Sequence, residues 1–226
     1  MGDLATFSAR SDGVAQPQGL SDLRRHVARL HASDEPIADA DLDARIGLRV
    51  GTDGSVRSWL DLLAAYGHHR IDQADLRYSV FRELFRRLQV PEGEVLLDLG
   101  SGYGRVAFYG GLLRETRVHG IEIVRERVDE ALRVRDRLGL AWLEFTCADA
   151  VTAPWPDACW FCLLNSFLPS VLPTVVARLR QAACSRRIVI ASISTSNHLL
   201  AAQRWLRELP PVAQSCDSLG LRLFAS

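Results

Sequence analysis

The spacing of apolar positions changes several times along the 226 residues, and each change marks an element. Behind Ser21, a residue type that caps helix starts, Leu23, Val27 and Leu30 recur at helical spacing. Leu42, Ile46 and Leu48 do the same behind Asp39 and Asp41. After a turn between Gly51 and Gly54, Trp59, Leu60, Leu62, Leu63 and Tyr66 form a third stripe, which Gly67 ends. Asp72 to Leu88 reads as one more helix, with Val80, Phe81, Leu84, Phe85 and Leu88 on its apolar face and Pro91-Glu92-Gly93 as its stop. Residues 1–18, rich in Gly, Ser, Gln and Pro, show little periodicity and read as a loose arm.

From Val95 the pattern switches. Val95 to Asp98 is an apolar run too short for a helix, ended by a carboxylate, as expected of a strand buried on both faces of a parallel sheet. Helical and strand patterns then alternate. Helices are predicted over Val106 to Leu113, Arg125 to Leu138, Val171 to Gln181 and Asn197 to Glu208; strands over Val118 to Ile123, Trp142 to Thr146, Ala158 to Leu164 and Ile188 to Ile193. The segments of Val212 to Ser226, around Asp217-Ser218-Leu219-Gly220, read as a closing β-hairpin. Such alternation implies an α/β fold built on a doubly wound, mostly parallel sheet.

Composition narrows the function classes. Arg plus Lys equal Asp plus Glu at 27 each, and every one of the 27 basic residues is arginine. That excludes a lysine Schiff base and a P-loop lysine. Zero net charge argues against nucleic acid as a partner, because phosphate neutralisation needs a clustered positive excess; a local arginine patch stays open. No segment approaches the ~20 apolar residues of a membrane span, and the N-terminus lacks signal-peptide order, so a cytoplasmic protein is expected. The five cysteines show no paired disulfide or zinc spacing, so no metal is expected. Cys159-Trp160-Phe161-Cys162 spells C-x-x-C, but within a strand those two sulfurs point to opposite faces.

The candidate chemistry lies in Asp98-Leu99-Gly100-Ser101-Gly102-Tyr103-Gly104-Arg105. Three alternate glycines between a buried strand and a helix let the backbone turn tightly and approach a ligand. A dinucleotide site wants G-x-G-x-x-G, but Arg105 holds the third glycine position. Asp98 would repel a pyrophosphate and could receive an ammonium group, so a cationic nucleoside carrying an amino acid fits better.

These residues resemble motif I of the class I S-adenosylmethionine-dependent methyltransferases. The resemblance continues through Val118-His119-Gly120-Ile121-Glu122, whose acid would accept the ribose hydroxyls, and through Phe145-Thr146-Cys147-Ala148-Asp149-Ala150, whose acid would lie by the adenine amino group. It implies a seven-stranded, mostly parallel sheet with a C-terminal β-hairpin, in two regions: an N-terminal helical cap or lid over residues 1–85 and a catalytic domain over 86–226. S-adenosyl-L-methionine is then the cofactor and S-adenosyl-L-homocysteine its product, with Tyr78, Asp98, Gly100, Ser101, Gly102, Gly104, Glu122, Asp149 and Asn165 as binding residues. Arg77 and Tyr78 stand where members of this family often touch the cofactor carboxylate.

The acceptor is less constrained. Asn165-Ser166-Phe167-Leu168 lacks the Pro-Pro-Tyr/Phe element of enzymes acting on nucleobase or glutamine amino groups. With Gly120-Ile121-Glu122 it partly resembles the non-SET histone-lysine methyltransferases, although the upstream Tyr-Gly-Glu of that family is here Tyr78-Ser79-Val80. Asn165 could orient an amine, and His69, with His68, could act as a base or form a solvated loop pair. His119, inside a strand, reads as structural. A small-molecule acceptor is the first expectation and a protein side chain the second; a methyltransferase fold serving as an inactive binding subunit is the other class.

Overall fold

The structure is a computed structural model, and it describes residues 19–51, 76–210 and 220–226. Its helices are α1 (Leu20–Ala32), α2 (Asp39–Ile46), α3 (Tyr78–Arg87), α4 (Arg105–Arg114), α5 (Arg125–Leu138), α6 (Leu172–Ala183) and α7 (Thr195–Ala201). The strands are β1 (Val95–Leu99), β2 (Arg117–Glu122), β3 (Leu143–Cys147), β4 (Trp160–Leu164), β5 (Val189–Ile193), β6 (Arg207–Glu208) and β7 (Arg222–Ala225). They form one sheet in the order β3-β2-β1-β4-β5-β7-β6. The first five are parallel, and β7 runs antiparallel to both β5 and β6. This is the expected doubly wound sheet closed by an antiparallel C-terminal pair.

Strand alternation divides the core in two. Leu96, Cys162, Leu164 and Leu223 join one apolar cluster with α1 to α5, while Leu97, Leu99, Phe161, Leu163 and Phe224 join the other with α6 and α7. Val27, Leu42, Ile46, Phe81 and Leu84 are buried in the first cluster, so α1 to α3 cover one sheet face rather than standing apart from it. Asp98 alternates with Leu97 and Leu99 and therefore points to that same face.

Three local expectations are corrected. Helix α1 begins at Leu20 after Gly19, so Ser21 sits inside its first turn and makes no cap. Helix α3 begins at Tyr78, where Arg77 is extended, because the Tyr78 N–H donates to Asp39 Oδ1 of α2 at 2.7 Å. Asp39 thus caps a neighbouring helix instead of its own. Helix α7 ends at Ala201, and residues 207–208, expected to be helical, pair with β7 as the first arm of the hairpin. The Trp59 to Tyr66 stripe, His68 and His69 and residues 211–219 lie outside the described residues.

Candidate functional site: the glycine turn after strand β1

The crevice between β1 and β4 is the point where the chain reverses its direction across the sheet, and ligands of such folds bind outside the carboxyl ends of the strands there. Asp98 is the penultimate residue of β1, in register with Gly120 on β2 and Cys162 on β4. The turn behind it continues the sheet pairing: the N–H groups of Gly100 and Ser101 both donate to the carbonyl of Ile121, at 2.8 and 3.1 Å.

Two glycines here are required by contact as well as by conformation. Gly100 has φ +79°, and a Cβ on it would lie 2.3 Å from Cβ of Ser166. Gly104, also at φ +79°, precedes α4, and its Cβ would lie 2.6 Å from the Phe145 ring. Gly104 thereby performs the close helix–strand packing that a dinucleotide motif assigns to its third glycine. Arg105 is free to carry a long side chain, which leaves the turn and forks onto Asp43 of α2, with Nε 3.0 Å from Oδ1. The same Asp43 accepts the hydroxyl of Tyr78 at 2.8 Å. A Cβ on Gly102 would meet nothing within 4 Å, so the turn is open on that side. The α4 N-terminus beside it has no side-chain cap.

Asp98 and Ser101 set the electrostatics. Asp98 is 2% exposed, and its Oδ2 and the Ser101 hydroxyl are both buried with no hydrogen-bond partner. Burial, and secondarily the charge of Glu122, push the Asp98 carboxyl up to about 7. An unsatisfied buried carboxylate oxygen is costly, and a cationic N–H donor would relieve it. Glu122 is buried too, but it is engaged: Oε2 accepts the Gly102 N–H at 2.8 Å and Oε1 the Val124 N–H at 2.9 Å. Each oxygen keeps a lone pair, so Glu122 both shapes the turn and can accept a ligand hydroxyl.

Asp149 follows β3, on the same end of the sheet, and its Oδ1 accepts the Val151 N–H at 2.7 Å. Arg178 of α6 fastens that loop by donating to the carbonyls of Ala150, Val151 and Ala153, and stacks 4.1 Å from the Trp155 ring centre. Asn165, just past β4, is exposed with φ +59°. Tyr78 is placed differently from its expected role: it is fully buried under α2 with its hydroxyl committed to Asp43, and it faces Arg105 rather than solvent. His119 is tied to Thr146 at 2.8 Å and to Glu144 at 3.3 Å, with burial holding its imidazole below the usual value. Burial raises the Cys162 thiol well above its ordinary range, and Asp98 adds to this.

The site contains residues that spacing did not reveal. Asp43 and Arg105 are 62 positions apart, and Gly51, whose N–H donates to the Tyr103 hydroxyl at 2.9 Å, is 52 from its partner. The one available signal was Arg105 itself, a charged residue at a glycine position, which needs an acid nearby. Among the described residues no group of three or more His, Cys, Asp or Glu side chains could hold a metal ion, and no helix is long and apolar enough to cross a membrane.

No family model matches the chain. Among solved structures, an RNA methyltransferase from Salinibacter ruber in complex with S-adenosyl-L-homocysteine aligns at 24% identity over 66% of this chain and 90% of its own, with a TM-score of 0.48. A methyltransferase from Geobacter sulfurreducens aligns at 18% identity over 84% and 97%, TM-score 0.47. A precorrin-6y C5,15-methyltransferase from Geobacter metallireducens aligns at 11% identity over 69% and 89%, TM-score 0.49. With identities this low and TM-scores under 0.5, the fold rests on the strand order and register themselves: an α/β, doubly wound sheet with a glycine turn and two buried carboxylates at its switch point.

Proposed function

We propose that the chain is an S-adenosylmethionine-dependent methyltransferase acting on a small molecule. The observation that carries the reading is the unpartnered, fully buried Oδ2 of Asp98 below a glycine turn whose outer side is open. A pyrophosphate would bring negative charge to this acid, whereas an amino-acid ammonium would satisfy it. Ser101 offers a second unsatisfied group, Glu122 can accept ribose hydroxyls, and Asp149 stands at the end of the next strand for the adenine. When bound, S-adenosylmethionine supplies a methyl group on a sulfonium, open to direct displacement. The residues of this chain then act by holding the donor and aligning the acceptor, which is where most of the advantage in a single displacement lies.

Asn165, exposed just past the carboxyl end of β4, is the proposed acceptor contact among the described residues. Its amide could orient a hydroxyl or an amine. The protein side-chain reading shares this feature and draws on the Asn165 to Phe167 likeness alone. His69 stays a proposed base, and residues 1–85 a proposed cap. Methyl transfer from labelled S-adenosylmethionine, run in parallel on a metabolite extract, total cell protein, transfer RNA and duplex DNA, tests the acceptor class. Label in the metabolite fraction is expected; label confined to protein or nucleic acid would overturn the small-molecule reading.

A further inference from the structure

At the opposite end of the sheet from the glycine turn, two adjoining hollows of about 440 and 430 Å³ share Arg187, Trp205 and Ser226. Arg204 and Arg207 line the first and Arg180 the second, and no acidic side chain lines either. Arg187 stands just before β5, Arg207 lies on β6 and Ser226 follows β7, so the patch sits at the amino ends of the parallel strands. A five-residue strand separates it by about 16 Å from the level of Asp98.

The patch gathers several exposed arginines in one place. Some arginines elsewhere are paired: Arg24 with Glu115, Arg86 with Asp34, Arg105 with Asp43, Arg133 with Glu130 and Arg222 with Glu208. Arg180, Arg187, Arg204 and Arg207 are exposed and make no ion pair with any described residue. Arg186, which also lines the second hollow, is paired with Asp157. Among the described residues, four exposed arginines without an ion pair therefore surround one tryptophan.

The floor is well built. Ser226 and Ile188 exchange two hydrogen bonds, Ile188 N–H to the Ser226 hydroxyl at 2.9 Å and Ser226 N–H to the Ile188 carbonyl at 3.1 Å. Trp205 is held by its indole N–H on Gln203 Oε1 at 3.2 Å, and Gln203 is anchored in turn on the Leu199 carbonyl. The aromatic ring is therefore oriented before any partner arrives.

We infer that this arginine-lined pair of hollows is a docking surface for a single-stranded nucleic acid, with the four unmatched guanidinium groups on its phosphates and a base against Trp205. Guanidinium groups fit phosphate oxygens two at a time, and a fixed aromatic face accepts any base. Two adjoining hollows lined by four exposed arginines offer more than one phosphate position, which suits a strand rather than one small anion. An acidic peptide would use the charges but gain little from the ring, and a bilayer would want an apolar rim. Because the patch lies across the sheet from the proposed transfer site, binding here does not make the strand the methyl acceptor.

The test uses the full chain and fluorescence anisotropy of labelled ten-nucleotide oligouridylate and oligothymidylate, with poly-glutamate and anionic phosphatidylserine vesicles alongside. Saturable oligonucleotide binding is expected, its logarithm falling with the logarithm of salt at a slope of about −2 to −3 for three or four phosphate contacts. The Arg187→Glu/Arg204→Glu/Arg207→Glu variant should abolish it while leaving S-adenosylhomocysteine affinity unchanged, which separates failure here from failure of the methyltransferase reading. Trp205→Ala, checked for an intact fold by circular dichroism, should weaken it about ten-fold. Binding that survives the triple variant, or equal binding of poly-glutamate or vesicles, or no oligonucleotide binding at low salt, would overturn the proposal.

Discussion

Asp98 and Glu122 stand at the carboxyl ends of neighbouring parallel strands, and the charge of Glu122 adds to burial in raising the Asp98 carboxyl to about 7. The same Glu122 bonds the Gly102 N–H, so the residue that shapes the glycine turn also makes the acid beneath it reluctant to ionise. The turn is thus poised: its acid ionises near neutral pH, and a cationic donor would pull the proton off.

Ligand binding should therefore depend on pH. An ammonium group favours ionised Asp98, so affinity for S-adenosylhomocysteine should rise by up to about ten-fold per pH unit below about 7 and level off above it. Calorimetry in two buffers of different ionisation enthalpy should show a proton released on binding near pH 6 and none at pH 8.5. Asp98→Asn should flatten both.

Stability should move the other way. The unfolded carboxyl ionises near 4 and the folded one near 7, so the folded state holds the extra proton in between and stability falls as pH rises through that window. Asp98→Asn should be more stable than the parent at pH 8 and no better at pH 4, as read from urea unfolding.

Arg105 and Asp43 tie α4 to α2 as a nearly buried pair, with side-chain exposures of 16% and 9%. Removing one partner strands the other, so Arg105→Ala or Asp43→Ala should cost roughly 3 kcal/mol. A double-mutant cycle in urea should show strong coupling; additive losses would deny the tether.

Gly104→Ala should destabilise by at least about 1 kcal/mol from its backbone alone, with more from the Phe145 ring 2.6 Å from the new methyl. Phe145→Ala makes room for that methyl but leaves φ unchanged. The double variant should therefore lose less stability than the sum of the two singles, measured by urea midpoint.

The sheet was legible because Val95 to Asp98 and Ala158 to Leu164 are too short and too apolar to be anything but buried strands, and glycines in alternation marked the turn. What was not legible depends on distant partners. Asp39 looks like the cap of its own helix yet serves Tyr78, 39 positions away. The helix expected over Asn197 to Glu208 runs instead from Thr195 to Ala201, and Glu208 finds a strand partner in Phe224, which no local period announces. Tyr78 sits at a plausible distance along the chain for a ligand contact, but its register on α3 turns it into the core, and only Asp43 across the fold explains why a hydroxyl is tolerated there.

The central claim is that the Asp98 turn receives a cationic aminoacyl nucleoside rather than a dinucleotide. Isothermal calorimetry at pH 8 on the parent chain and on Asp98→Asn, with S-adenosylhomocysteine and with NAD, tests it most directly. The parent should bind S-adenosylhomocysteine and not NAD, and the folded Asp98→Asn protein should bind it at least about ten-fold more weakly, as expected for a lost hydrogen bond to a charged group. Binding of NAD without S-adenosylhomocysteine, or an unchanged S-adenosylhomocysteine affinity in Asp98→Asn, would contradict the account.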